Sequence, residues 1–428
     1  MMKVQDLYFK VFPKVVRADK EAIINIKPLY DHVRFNENST YEVVYFPVDN
    51  RSVYSQGEKT IVKPEDGIIS VKRLFEGEQE HILYLYEVVG DKPRLVADFR
   101  IYSLREDLFE LKPYKGDMHI HSNFSDGKED PALVAAACRK IGLDFMAVTD
   151  HGKYAPSIKA QEAFENVDID LKIYRGEEVH PPQNPVHMIN FGGCFSVNDL
   201  FKEDVYMKEV KEIEKALVGF QNDETRYQYA SCKWCFDKIR EGGGLGIFCH
   251  PYWLVSGGYN ESTAITHRLM EDQPYDALEL LGGYFKHEME SNVLQLALYS
   301  EYRSKGKDIP IVGVSDAHGC FTGYLFGWYY TIVLAKDSSL NSLIEGIKGL
   351  NSVAVEEVKD ETPRIYGPLR LVKYAYFLFR EVLPLHDAMC EQEGSLMMRY
   401  LEGDEKAAEM LKNLKGQTEK LYTELWSF

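Results

Sequence analysis

No stretch of this chain approaches the roughly 20 uninterrupted apolar residues that a membrane-spanning helix needs. The nearest, 369–385, is broken by Arg370, Lys373, Arg380 and Glu381. The opening residues, Met-Met-Lys-Val-Gln-Asp-Leu-Tyr-Phe-Lys, contain no apolar core of the length a secretory signal uses. Cysteine is scarce and odd in number, seven in 428 residues, which argues for reduced thiols in a cytoplasm rather than a disulfide framework. The single Cys-x-x-Cys, Cys232-Lys-Trp-Cys235, has no second pair and lies in a helical pattern, so it reads as ordinary helix residues. Basic charge is in deficit: 50 Lys and Arg face 67 Asp and Glu, a net charge of −17, which speaks against a general nucleic-acid-binding surface. There is no Gly-x-Ser-x-Gly elbow, no phosphate-binding P-loop, no long repeat and no low-complexity tract.

What remains is a long chain of ordinary hydrophobic content with an aromatic tilt, large enough for two domains or one domain with an appendage. Residues 1–112 read as short β segments at 8–16, 22–29, 40–47, 59–62, 67–74, 81–89 and 94–103, separated by turn clusters such as Asp49-Asn50-Arg51-Ser52. That spacing predicts a small all-β, sandwich-like domain. From 113 to 357 strands alternate with helices. Strands are expected at 118–121, 145–149, 172–178, 187–192, 244–249, 277–281 and 311–315, and helices at 131–141, 204–220, 225–241 and 288–305. This alternation implies an α/β fold with a parallel sheet, closed as a (β/α) barrel. Residues 358–428 form a helical extension, with helices at 368–389, 396–401 and 404–421.

The chemistry concentrates at the expected strand ends, where barrel sites are built. Asp117-Met-His119-Ile-His121 places two imidazoles two apart, hence on one face of a strand, and Ser125-Asp126-Gly127 follows on the next loop. Thr149-Asp150-His151, Gly176-Glu177-Glu178-Val-His180, His187, His250-Pro251 and Asp316-Ala-His318 add further nitrogen and oxygen donors. A lone strand-end histidine is more often structural than a ligand. Here seven of the chain's twelve histidines fall in these motifs, counting His180, and chance does not readily cluster them so.

Taken together, His119-x-His121, Asp126, Asp150-His151, Glu178, His187, His250 and Asp316-x-His318 resemble the PHP (polymerase and histidinol phosphatase) family over roughly 117–350. The resemblance implies a distorted seven-stranded (β/α) barrel holding two to three divalent metal ions. It implies that His119, His121, Glu178 and Asp316 hold one ion, that Glu178 bridges to a second completed by His187 and His250, and that Asp126, His151 and His318 hold a third. Donors of nitrogen and oxygen without thiolate suit zinc, manganese or iron. Strand alternation lets only one of Glu177 and Glu178 face the metals, and the family spacing selects Glu178, leaving Glu177 solvated or in a supporting position. Asp117 and Asp150 read as acceptors that orient imidazoles. Cys249 is expected to point into the surrounding core.

The implied activity is hydrolysis of a phosphomonoester or phosphodiester of a small metabolite or nucleotide by a metal-activated water, in the cytoplasm and without a membrane partner. No catalytic side chain is named beyond the metals, with His180 the one candidate for a proton donor or substrate contact. Candidate substrate contacts are Lys153, Tyr154, Tyr252, Trp253 and Lys286. Two other readings stay open: metal-assisted C–N hydrolysis of the amidohydrolase type, for which no lysine stands among the ligands, and a non-catalytic metal-containing binding module, against which all nine ligand positions are filled.

Overall fold

A computed structural model describes residues 4–49, 57–90, 92–202, 204–220 and 222–426. The fold is mixed α/β and divides into two compact units. One comprises Met1–Lys112, Leu369–Met389 and Gly416–Phe428; the other comprises Pro113–Pro368 and Cys390–Lys415. The C-terminal helices, Leu369–Glu381, Leu383–Leu401, Glu405–Leu414 and Gln417–Leu425, are thus shared out between the two units rather than forming a body of their own.

In the first unit two sheets share one apolar core. Strands Phe9–Phe12, Lys20–Pro28 and Ile69–Phe75 make one; Val15–Arg17, Lys92–Leu104, Gln79–Val89, Thr40–Pro47 and Glu58–Val62 make the other, in that order. Alternate residues of both, among them Val11, Ile24, Ile26, Tyr41, Val43, Leu83, Leu85, Phe99 and Ile101, fill the space between. The first expected strand, 8–16, is in fact two: Pro13 has no amide hydrogen for a ladder, and the chain passes there from one sheet to the other. The buried ion pair Lys14–Glu381, at 3.0 Å, ties the helix Leu369–Glu381 into this unit.

His81 is buried in this unit, its ring hydrogen-bonded to Tyr45 Oη at 2.8 Å and to Ser103 Oγ at 2.7 Å. Burial, reinforced by the Arg73 charge, lowers its pKa to about 3. The folded unit therefore holds a neutral imidazole that the unfolded chain protonates below about pH 6.5. Stability contributed by this group is complete above pH 6.5 and is lost as pH falls toward 3. A loss of about 2 kcal/mol is expected between pH 6.5 and 4.5. Thermal melts of the protein and of His81→Gln across that range check this: the variant should show the flatter profile, and parallel profiles would refute it.

The second unit holds a six-stranded sheet, Lys172–Tyr174, Phe145–Ala147, Lys112–Asp117, Tyr329–Ala335, Ser352–Glu356 and Arg364–Tyr366, and a five-stranded sheet, Gly176–Val179, Met188–Phe191, Leu245–Phe248, Ala277–Leu281 and Ile311–Gly313. Single bridges link them, His151 with Glu178 and Ile120 with Ala317. Sequence periodicity is corrected at several points. The strand expected at 118–121 lies at Lys112–Asp117, and the histidine pair sits on its extended continuation, where His119 O accepts from Asp316 N and His121 N donates to Ala317 O. The expected strand 172–178 breaks at Arg175, each half joining a different sheet. The pairing is not uniformly parallel: Gly176–Val179 runs antiparallel to Met188–Phe191, because the link between them is too short for a crossover. Helix Pro131–Lys140 starts at Asp130, whose carboxylate accepts from Ala132 N ahead of a proline at the first helical position. Cys232 and Cys235 lie buried on helix Asp223–Glu241, and Cys232 Sγ accepts from Asn184 Nδ2. Among the described residues no helix is long and apolar enough to cross a membrane.

Candidate metal centre

Glu178 lies at the middle of the cluster, fully buried, with six imidazoles around its carboxylate. His187 Nδ1 is 2.9 Å away, His180 Nε2 3.2 Å, His250 Nε2 3.4 Å, His119 Nε2 3.7 Å and His121 Nε2 3.8 Å, and His151 Nδ1 pairs with it as well. Asp316 Oδ1 stands 2.8 Å from His121 Nε2 and 3.2 Å from His119 Nε2. Asp126 Oδ1 stands 3.4 Å from His151 Nε2 and 3.3 Å from His318 Nε2. Donor atoms close enough to share an ion come from His121, Asp126, His151 and His318; from His119, His121 and Asp316; and from His119, Glu178 and His250. All nine residues expected as ligands, and His180, are therefore brought to one place. His180 stacks on His187 at 4.0 Å and lies 3.0 Å from His151 Nδ1.

Burial disfavours a charged Glu178, yet the imidazoles, His187 and His119 foremost, hold its pKa well below the ordinary carboxylate value. Burial likewise opposes charge on His119 and His250, but Asp316 and Glu178 raise the first, and Glu178 with Glu279 lifts the second to about 9. For His187 burial prevails and the pKa falls to about 4. Buried polar atoms converge here without a well-formed hydrogen bond: His119 Nε2, His121 Nδ1, both oxygens of Glu178 and His187 Nδ1. Orphaned polar atoms in a closed interior are costly unless something else satisfies them. Nitrogen and carboxylate donors so arranged fit divalent cations.

The loop bearing Asp126 is held by Asp150. Its carboxylate accepts from Ser122 N (2.9 Å), Ser122 Oγ (2.6 Å), Ser125 N (3.0 Å) and Ser125 Oγ (2.5 Å). Asp150 was expected to orient an imidazole; four nearer donors in the Ser122–Ser125 turn take its lone pairs instead. Gly127 is required there, since a Cβ would meet the His121 carbonyl at 2.6 Å. Asp117 Oδ1 accepts from His119 N and Ser315 N, so it fastens the first strand's continuation to the last rather than touching a ring. Glu177 faces away from Glu178 as alternation requires, but it is buried rather than solvated, accepting from Asn190, Ser196, Val197 N and Asn198. Cys249 is buried in the core cluster, and its sulfur also lies beside His119 and Glu279. Two ligand positions, His250 (φ 25°) and Asp316 (φ 48°), adopt backbone conformations that residues other than glycine rarely take.

A cavity of about 530 Å³ opens over the cluster, lined by Asp126, His151, His187, His250, Asp316 and His318 together with Trp253, Phe285, Tyr324 and Leu325. Of the candidate substrate contacts, Trp253 lines it; the other four do not. Lys153 donates to Phe124 O, Tyr154 Oη to Gly193 O, Tyr252 packs edge-on to Tyr259, and Lys286 pairs with Glu361. Lys128, unforeseen, is the one lysine or arginine among the described residues lining the cavity. Its place directly after the Asp126-Gly127 turn was the available signal.

The other missed residue is Glu279. Its Oε2 is 3.1 Å from His119 Nδ1 in a fully buried pair, fixing the ring so that Nε2 faces Glu178 and Asp316. A lone carboxylate in the buried strand Ala277–Leu281 could have flagged it, because a buried charge needs a partner. Glu279→Gln is expected to weaken metal binding about 10- to 100-fold with the fold unchanged. Competition against a metal-chelating dye reads this, and wild-type affinity would refute it.

Residues 117–303 match the PHP domain family. This stretch is a PHP domain. Over 53 residues, 12% of the chain, it is 47% identical to the DNA polymerase/3'-5' exonuclease PolX of Bacillus subtilis, but it spans only 9% of that protein's length. It is 22% identical over 190 residues to an uncharacterized protein of Methanocaldococcus jannaschii, covering 42% of this chain and 88% of that one. Among solved structures, a two-domain protein from Bacteroides vulgatus containing a predicted PHP-like metal-dependent phosphoesterase is similar at 17% identity, over 58% of this chain and 66% of that chain, with a TM-score of 0.39. Every donor motif up to His250 falls inside the PHP domain match, whereas Asp316 and His318 lie beyond its end.

Proposed function

We propose that the second unit is a metal-dependent phosphoesterase that hydrolyses a small phosphorylated molecule. The observation that carries this is the convergence of six imidazoles on the buried Glu178, with Asp316 and Asp126 completing three overlapping donor sets. His119, His121, Glu178 and Asp316 would hold one ion, Glu178, His187 and His250 a second, and Asp126, His151 and His318 a third. When bound, such ions supply Lewis acidity toward phosphoryl oxygens and acidify water near neutral pH. The chain's own residues do the rest. Glu279 keeps the proton of His119 on Nδ1, and Asp150 and Asp117 hold the donor loops in register. Lys128 is placed to meet a phosphoryl oxygen. His180, beside His151, is placed to hold or pass a proton within the cluster.

Two finer structural readings accompany this one. With their bridges, Lys112–Asp117, Phe145–Ala147, Gly176–Val179, Met188–Phe191, Leu245–Phe248, Ala277–Leu281 and Ile311–Gly313 are read as one seven-membered ring around the cluster. The two sheets of the first unit are read as a sandwich.

Elemental analysis of protein purified without added metal is expected to find two to three divalent transition-metal ions per chain. Chelation should abolish hydrolysis of an aryl phosphate, and manganese or zinc should restore it. A chain that takes up no metal from either salt would end this reading. A panel of phosphomonoesters and phosphodiesters assayed with manganese then separates the two substrate classes.

A further inference from the structure

The cavity beside the donor cluster is lined by two chemically different sets of side chains. One is the histidines and carboxylates. The other is aromatic: Trp253, Phe285 and Tyr324 line the cavity while keeping 38%, 38% and 57% of their surface exposed. The Trp253 ring lies 5.7 Å from that of His250 and 5.8 Å from that of His187, so a group stacked on it sits next to the donor atoms. Phe285 and Tyr324 meet edge-on at 6.0 Å. Gly283 lets the backbone pack tightly against Asp316, since a Cβ there would meet the Asp316 Cβ at 2.4 Å. About 530 Å³ is the size of a small-molecule site rather than a groove for a polymer.

We propose that this cavity takes a phosphoester whose leaving group carries an aromatic ring, the ring seated against the aromatic side chains Trp253, Phe285 and Tyr324 and the phosphoryl group toward the donor cluster and Lys128. The proposal rests on the phosphoesterase reading for turnover but not for binding. Hydrolysis adds water across the phosphorus–oxygen bond: the water oxygen bonds to phosphorus, the ester oxygen leaves with a proton, and the products are the ring-bearing alcohol and phosphate. Ring contacts at the spacings found here prefer offset or edge-on partners, which a planar ring supplies and an alkyl chain does not.

The test compares 2-phenylethyl with n-butyl esters, whose alkoxide leaving groups are similar in reactivity. Calorimetric titration of the manganese-loaded protein with 2-phenylethylphosphonate and n-butylphosphonate, which cannot be hydrolysed, is expected to show at least tenfold tighter binding of the ring-bearing ligand. Trp253→Ala and Phe285→Ala should each shrink that ratio to threefold or less; both side chains are partly exposed, so neither replacement threatens the fold. The kcat/KM ratio for the matching phosphates should follow the binding ratio. Equal affinity for the two phosphonates, binding of neither, or a ratio unmoved in both variants would overturn the proposal. A ring preference in phosphonate binding without hydrolysis of either phosphate would sustain it and overturn the phosphoesterase reading instead.

Discussion

Replacing Glu178 with glutamine is expected to cost the cluster the two ions that Glu178 would hold and to lower phosphoester hydrolysis at least about a thousandfold, roughly 4 kcal/mol of barrier, with the fold intact. The carboxylate stands within 3.8 Å of five imidazoles and pairs with a sixth, so no other single residue touches so many of the donors. Survival of the fold follows from titration. Glu178 raises the pKa values of His119, His151 and His250, and without its charge those rings give up their protons instead of remaining as unpaired buried cations. Glutamine also keeps the side-chain volume. Elemental analysis, turnover and circular dichroism together check the expectation. Retention of the full metal complement would show that the ions are held without Glu178.

The neighbouring residue should behave in the opposite way. Glu177→Ala is expected to destabilise the second unit by about 3–5 kcal/mol, while the protein that folds keeps its metal. Four donors, Asn190 Nδ2, Ser196 Oγ, Val197 N and Asn198 Nδ2, converge on the Glu177 carboxylate at 2.6–3.1 Å in a buried site. Alanine leaves all four without an acceptor, and the loop after Met188–Phe191 loses the group that folds it back. Urea unfolding measures the loss, and a change under about 1 kcal/mol would contradict it. Two adjacent glutamates thus separate metal binding from folding.

That contrast also marks how far the sequence could be read. Alternation along a strand was enough to send Glu177 and Glu178 to opposite faces, and the spacing of His119 and His121 was enough to aim both rings at one point. Neither pattern depends on distant parts of the chain. The environment of Glu177 does: its partners come from residues 190–198, whose fold no periodicity predicts, and so the sequence leaves it either solvated or in a supporting position. Glu279 was hidden because a strand of five buried residues reads as core whatever its third member is. Lys153, Tyr154, Tyr252 and Lys286 follow ligand motifs or strand ends in sequence and yet turn to other partners, whereas Lys128 and Trp253, which also follow ligand motifs, line the cavity. Position after a ligand motif does not by itself say which way a side chain turns. The β-rich and α/β halves were legible because binary patterning is local. The antiparallel pairing of Gly176–Val179 and the sharing of the C-terminal helices between units were not, since both depend on tertiary packing.

His250 and Asp316 hold their donor atoms in place with left-handed backbone, a conformation that costs on the order of 1–3 kcal/mol for residues with a Cβ. A glycine at either position relieves that strain and deletes a donor in the same step. Selection for thermostability alone and selection for activity alone would therefore pull these two positions in opposite directions, and a chain evolved in the laboratory for stability without a catalytic screen would be drawn to surrender its metal site there first.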